Sequence, residues 1–386
     1  MNKLDELIAL LCPNGVKYQE LAHAVSIERG KRVVREQLDE TGLYPVYQNS
    51  LTPLGYHSQW NYPAETTFLI VAGAAGEIGY STCNFWAADD CFPLVCGENL
   101  SSRYLYHVML WLQPTILSRV RKASIPRLSR DSIERLTIPV PPLEIQREIV
   151  RILDTFTELT AELTAELTAR KQQYAYYRDN LLTFRVDITR KSLDELCTIS
   201  AAGDAPKDAL SLTKTAEYQI PVISNGIGEN AFYGYTDKPK ITEPAVTVAA
   251  RGTIGYAEYR DYPYYPIIRL LSVIPKNTAV LATKYLYYCM QGKKYNVPLG
   301  GIPQLTAPEL KKVVIPVPPL PVQQRIVTVL DNFDAICSDL NIGLPAEIEA
   351  RKKQYEFYRD QLLTFAVQDE IVLTDRQTDR QTDRRV

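Results

Sequence analysis

The sequence predicts an α+β protein organised as a pseudo-two-fold tandem repeat, with two α+β domains alternating with two long helices. Three observations predict it: a duplication that spans nearly the whole chain, a pair of apolar β-branched runs bounded by turns, and two extended helical seams. At 386 residues the chain is too long for one ordinary domain.

The duplication comes first, because a repeat governs the reading of every local motif. Ile138-Pro-Val-Pro-Pro-Leu143 recurs unchanged as Ile315-Pro-Val-Pro-Pro-Leu320. Further on, RKQQYAYYRDNLLTF from Arg170 recurs as RKKQYEFYRDQLLTF from Arg351, with 11 of 15 positions identical. The first pair is offset by 177 residues and the second by 181. Fainter echoes precede these blocks. Tyr44-Pro-Val-Tyr-Gln-Asn49 answers Ile220-Pro-Val-Ile-Ser-Asn225, Gly76-Glu-Ile-Gly-Tyr80 answers Gly252-Thr-Ile-Gly-Tyr256, and Ile125-Pro-Arg-Leu128 answers Ile302-Pro-Gln-Leu305. Each half is thus a variable domain followed by a near-constant segment, a common scaffold with divergent loops.

The β signals lie in the variable parts. Thr67–Ala72 and Ala245–Ala249 are apolar runs ending in glycine turns, and each reads as a buried strand. A short helix is expected at Ser102–Leu112, with a counterpart at Lys284–Met290. The constant segments read as long helices entered through Pro141-Pro142 and Pro318-Pro319, since proline disfavours helix at the residue before it. In the first, Ile149, Ile152, Phe156, Leu159, Leu163, Leu167, Tyr174, Tyr177, Leu181 and Phe184 mark one seam at spacings of three and four, with Arg170 filling the gap. The second runs from Ile326 through Val329, Phe333, Ile336, Leu340, Leu344, Ile348, Tyr355, Tyr358 and Leu362 to Phe365, with Gly343 and Pro345 expected to loosen it midway. A helix of about 40 residues is ~60 Å long, and two such seams most simply bury each other as a coiled coil.

Two four-residue repeats interrupt this plan. Thr-Ala-Glu-Leu recurs between Thr157 and Ala169, and its good helix formers lengthen the first helix without disturbing it. Thr-Asp-Arg-Gln recurs between Thr374 and Arg384; without apolar residues it should be disordered. It can be encoded by a single four-nucleotide unit read through three frames, so a slippage-prone tract and phase variation are expected there.

Composition excludes several classes. No apolar run approaches the ~18–20 residues that span a bilayer, and acids inside the first apolar stretch do not suit a secretory signal; a cytoplasmic protein is expected. Seven cysteines without a CxxC pair and three scattered histidines argue against a disulfide framework or a metal site. The net charge of −2 does not forbid nucleic-acid binding, which needs only a local positive face. Arg119–Arg130 holds five basic residues and no acid, whereas Arg29, Lys31, Arg32 and Arg35 are partly offset by Glu28 and Glu36. Gly73-Ala-Ala-Gly-Glu-Ile-Gly79 lacks the spacing and context of a dinucleotide loop and reads as a turn between strands. There is no GxxxxGK[ST] loop, no Asn-Pro-Pro-aromatic sequence and no nuclease-like carboxylate pattern, so no catalytic residue and no cofactor are assigned.

The IPVPPL–xxQxxIVxxLDxF run (138–156 and 315–333) and the block that closes each half resemble the specificity subunits of type I restriction–modification systems. The resemblance covers nearly all of the chain except its C-terminal tail. It implies two target-recognition domains joined by antiparallel conserved helices, each domain reading one half of a split, asymmetric site in double-stranded DNA. It also implies two modification subunits carrying S-adenosylmethionine, and two restriction subunits using ATP. The corresponding division is recognition domain 1 at 1–142, central helix at 143–186, recognition domain 2 at 187–319, distal helix at 320–366 and tail at 367–386. The family's DNA contacts lie in variable loops and do not transfer by motif. Chemistry and position instead nominate Gln48, Asn49, Ser50, Lys122, Ser124 and Arg127 in the first half, and Ser224, Asn225, Arg251, Thr253 and Gln304 in the second. Asn and Gln can pair bidentately with adenine, and Arg with guanine or phosphate. The rival readings are a coiled-coil adaptor that binds proteins, and a self-contained DNA methyltransferase, for which no cofactor domain remains once the repeats are assigned.

Overall fold

Buried Leu, Ile, Val and Tyr side chains gather into one main core in each half of the chain, and helices and sheets are layered around each. The computed structural model describes residues 3–39, 41–184, 188–295, 303–338 and 342–365. The chain divides into two compact units, one holding the residues up to Leu163 and those from Ile348, the other Thr164–Glu347.

In the first unit the strands are β1 (Tyr18–Glu20), β2 (Val25–Ile27), β3 (Tyr44–Tyr47), β4 (Gly55–His57), β5 (Thr66–Ile70), β6 (Ile78–Ser81), β7 (Trp86–Ala87), β8 (Cys91–Cys96) and β9 (Thr137–Pro139). The helices are α1 (Lys3–Leu11), α2 (Leu21–Ala24), α3 (Ser102–Ser118), α4 (Arg130–Glu134) and the start of α5 (Leu143–Leu182). An antiparallel sheet of order β2-β8-β5-β6 lies next to a smaller sheet of order β4-β3-β7, in which β3 and β7 are parallel. β5 is buried along its whole length, which is why it reads as a continuous apolar run. Its side chains alternate between two layers: Leu69 faces the main core with α3, while Phe68 and Ile70 join Phe85, Ala87 and Cys91 beneath the small sheet.

The second unit repeats the scheme. Its strands are β10 (Arg190–Ser192), β11 (Cys197–Ala201), β12 (Ile220–Ile223), β13 (Phe232–Thr236), β14 (Ala245–Ala249), β15 (Ala257–Arg260), β16 (Tyr265–Pro266), β17 (Leu270–Pro275) and β18 (Val314–Pro316). Its helices are α6 (Leu193–Leu196), α7 (Thr283–Met290), α8 (Ala307–Lys311) and α9 (Leu320–Ser338), and α10 (Leu344–Leu363) follows. The sheets have orders β11-β17-β14-β15 and β13-β12-β16, matching the first unit strand for strand. In both units a two-stranded ribbon, β1-β9 or β10-β18, carries the Ile-Pro of the duplicated block to the helix that follows. The carbonyls of Pro142 and Pro319 then accept the first helical N–H bonds, at 3.0 and 3.1 Å in α5 and at 2.9 and 3.1 Å in α9.

The helices are antiparallel within each unit. In the first, Phe156 of α5 stacks on Tyr358 of α10 at 5.2 Å, and Leu363 and Phe365 reach the core that holds Ile145 and Ile149. In the second, Tyr177 stacks on Phe333 of α9 at 5.5 Å, and Leu181 packs where Ile326 and Leu330 are buried. The distal seam is two helices, with Gly343 accepting the first N–H bonds of α10 and Pro345 in its first turn, where a missing N–H costs nothing. Leu340 of that seam, Ile302 and the Thr-Asp-Arg-Gln tract lie outside the described residues.

Two local expectations are corrected. The helix expected to stop at Leu112 continues through Pro114 to Ser118, because burial of Ile116 against the core outweighs the single lost hydrogen bond. The glycine turns align differently from the sequence echo. Gly76 N–H bonds the Ile70 carbonyl at 2.8 Å, and the equivalent bond runs from Gly255 to Ala249 at 2.9 Å. Gly76 therefore corresponds to Gly255, and Gly73 to Gly252, all four with positive φ of 74–95°. The echo had matched the glycines three residues out of register, because both turns contain two glycines three apart.

Candidate nucleic-acid interface

Three loops meet at one edge of the first unit. The loop after β3 carries Gln48, Asn49 and Ser50, and the Asn49 carbonyl accepts the Ala74 N–H at 2.9 Å. Gly73 sits so close that a Cβ would fall 2.8 Å from the Asn49 oxygen, so this turn tolerates no side chain. Gly73 N–H in turn donates to Pro126 at 3.2 Å, and Arg121 and Arg127 exchange backbone bonds at 2.8 and 3.2 Å. Leu128 N–H ties the far end of that loop to Val71 at 2.8 Å. Asn49, Lys122, Ser124 and Arg127 are all exposed on this edge.

The second unit builds the same junction. The Asn225 side-chain amide donates to the Arg251 carbonyl at 2.6 Å, the Thr253 hydroxyl donates to the Asn225 carbonyl at 3.0 Å, and Leu305 N–H bonds Ala250 at 2.8 Å. Gln304 is exposed beside that last bond. Equivalent loops thus carry different side chains. Ala72-Gly73-Ala74 stands where the second unit has Arg251-Gly252-Thr253, and Arg127 stands where it has Gln304. Among the described residues no cluster of His, Cys, Asp or Glu could hold a metal, and no helix is long and apolar enough to cross a membrane.

A family model described as the type I restriction modification DNA specificity domain matches residues 13–170 and again 185–350. The chain belongs to the type I restriction–modification specificity subunits. It is 30% identical over 364 residues to a Mycoplasma pneumoniae protein described as a type I specificity subunit, covering 90% of this chain and 97% of that protein. It is 32% identical over 345 residues to the EcoR124I/EcoR124II specificity subunit of Escherichia coli, covering 79% and 84% of the two chains. The crystal structure of an S subunit from M. genitalium shares the fold, with a TM-score of 0.61 at 14% identity over 90% of this chain and 96% of that one.

In this specificity subunit the nominated side chains divide into two kinds. Ser50 donates to the Thr52 carbonyl at 3.0 Å and Ser224 to the Ala231 carbonyl at 3.0 Å, each holding its own loop in shape, while Asn225 and Thr253 bond across from one loop to the other. Asn225 has one of its two amide N–H groups on the Arg251 carbonyl, which leaves the other N–H and Oδ1 for a base. Among the described residues, Gln48, Asn49, Lys122, Ser124, Arg127, Arg251 and Gln304 have no partner for their side-chain polar ends.

Two groups were not nominated. The loop bearing Arg29, Lys31 and Arg32 packs against Ala87 and Ala88, and Ala88 N–H bonds Tyr47 at 2.8 Å, immediately before Gln48. These three cations are exposed, and Glu28 beside them is half-buried and accepts from the Tyr62 hydroxyl at 2.7 Å. Asp89 and Asp90 lie half-buried on the adjoining turn. The second group is a polar set on the helices. Gln146 and Gln323 are fully buried, and Asp154 and Asp331 stand at the same position in each copy. Their signal was present as invariant polar letters inside an apolar duplicated run.

Proposed function

We propose that each unit reads one half of a bipartite, asymmetric DNA site through its three-loop edge, and that the helices space the units and dock two modification subunits. The reading rests on one observation: the same loop junction occurs twice, tied by the equivalent Leu128–Val71 and Leu305–Ala250 backbone bonds, with different side chains at matching positions. Arg127 and Arg251 suit guanine or phosphate, and Gln48, Asn49 and Gln304 suit adenine. The docking role is supported by Tyr176 and Phe357, equivalent aromatics in the repeated block that stand 67% and 63% exposed on α5 and α10. Methyl transfer with S-adenosylmethionine, and cleavage driven by ATP, are assigned to modification and restriction subunits rather than to this chain, and the complex is placed in the cytoplasm with its DNA.

The test is a domain exchange in the reconstituted complex. Replacing residues about 20–140 with those of a relative should change one half of the methylated sequence and leave the other half and the spacer intact. Methylome sequencing reads the result directly, and simultaneous change of both halves would overturn the two-reader assignment.

A further inference from the structure

Each recognition domain is fastened to its helix by the same two polar clamps. In the first unit the Gln146 amide donates to the carbonyls of Asn99 and Pro141 at 2.8 and 2.7 Å and accepts the Ser101 N–H at 2.8 Å. In the second, Gln323 donates to Val280 and Pro318, both at 2.8 Å, and accepts from Ala282 at 2.9 Å. Both glutamines thus grip the N-terminal end of the domain's own helix, α3 or α7. Two turns further on, Asp154 takes Arg103 at 2.8 Å and His107 at 2.8 Å, and Asp331 takes Lys284 at 2.8 Å and the Tyr288 hydroxyl. The returning helix adds a third grip. Tyr355 of α10 meets His107 at 2.9 Å in the first unit, and Tyr174 of α5 bonds Gln291 in the second.

An apolar contact between two helices tolerates sliding and rolling, because dispersion has little directionality. A buried amide with three fixed partners, followed by a two-partner carboxylate, does not, since any roll leaves buried polar groups unpaired. We propose that Gln146 with Asp154, and Gln323 with Asp331, are positioning residues that fix the angle of each recognition domain on its helix and so make the distance between the two DNA half-sites strict. This rests on the bipartite reading above. A loosened clamp lets one domain swing, so sites with a spacer one base pair longer or shorter become substrates while both half-site sequences stay the same.

The experiment uses the full chain assembled with its modification subunits and a pool of DNA sites that differ only in spacer length. Asp154→Ala should raise methylation of the neighbouring spacers several-fold relative to the preferred one. Leu153→Ala, in the same turn of α5 and fully buried, should lower thermal stability and leave the spacer preference unchanged. Lys284→Met removes only a half-exposed partner of Asp331; it should fold normally and relax the spacer in the same direction, which keeps the test open if Asp154→Ala does not fold. Strict spacing in a folded Asp154→Ala or Lys284→Met complex overturns the proposal, as does equal relaxation by Leu153→Ala. A wild-type methylome without a bipartite motif would instead remove the two-reader assignment on which it rests.

Discussion

His107 has no solvent exposure, and its two ring nitrogens are both committed, Nε2 to Asp154 at 2.8 Å and Nδ1 to the Tyr355 hydroxyl at 2.9 Å. A neutral ring satisfies both, donating from Nε2 to the carboxylate and accepting at Nδ1 from the phenol. Burial lowers the imidazole pKa, the Asp154 carboxylate partly restores it, and the Arg103 and Arg359 charges lower it further. For Asp154, burial opposes ionisation, but hydrogen bonds from His107 and Arg103 outweigh it and keep the carboxyl below its usual range. The sign of the pH effect follows. The unfolded chain protonates this histidine below about pH 6.5, whereas the folded chain resists, so stability is full above that value and falls as acid is added until the folded pKa is passed. Asp154 contributes only further down, below about pH 4. Urea unfolding at pH 7.5 and 5.5 should show a loss in the wild type that His107→Gln reduces, by up to ~1.4 kcal/mol per pH unit. An identical loss in the variant would mean that His107 does not titrate in this window.

At the scale of the element, α5 is a single helix of 40 residues whose fully buried positions all lie near its start, at Ile145, Gln146, Glu148, Ile149 and Leu153. The Thr-Ala-Glu-Leu tract follows, with Leu163 and Leu167 half-buried and Leu159 exposed. This is a stretch whose length can change without disturbing a core. One unit adds four residues, hence ~6 Å of rise and a net rotation of about 40°. A DNA base pair rises ~3.4 Å and turns roughly 34–36°. Deleting Ala161–Thr164 should therefore preserve folding and both half-sites and shorten the spacer by about one or two base pairs. Deleting two residues should rotate the seam by ~200° and abolish assembly. Methylome mapping checks the first outcome and purification of the complex the second; an unchanged spacer after the four-residue deletion would mean that the helix does not set the distance.

For the whole molecule, the two three-loop edges are alike in backbone and unlike in charge. The pairings Val25–Cys96 and Cys197–Pro275 place Ala201, Gly203 and Asp204 where the first unit has Arg29, Lys31 and Arg32. Arg269 replaces Asp90 at the neighbouring turn, a smaller change of opposite sense. Because phosphate contacts release counterions, each lost contact lowers the slope of log K against log salt by about 0.9. Neutralising Arg29, Lys31 and Arg32 together should flatten the salt dependence of DNA binding by up to ~3 and leave the methylated sequence unchanged. Asp204→Asn should leave the slope nearly as it is. A gel-shift titration across salt concentrations reads both, and an unaltered slope in the triple variant would place those cations away from DNA.

The duplication, the two α+β domains, the long helices and the family were legible in the sequence, because a repeat needs no tertiary information and because burial on both faces leaves β5 and β14 as runs of apolar and β-branched residues without polar alternation. The loops that come together were legible in part. Asn49, Arg127, Arg251 and Gln304 fall at the junctions, but the sequence could not show that Asn225 and Thr253 each bond the backbone of the facing loop. Nor could it give the register of the glycine turns, since either of two glycines satisfies the spacing and only strand pairing chooses between them. Gln146 and Asp154 were visible as repeated letters without a role. Apart from Pro141, their partners on the recognition domain lie 45–51 residues away in the chain, and a polar residue gains its meaning from what folding brings within hydrogen-bonding reach. Apolar periodicity is a property of the local chain and survives in one dimension, whereas the pairing of polar groups exists only after the chain has closed.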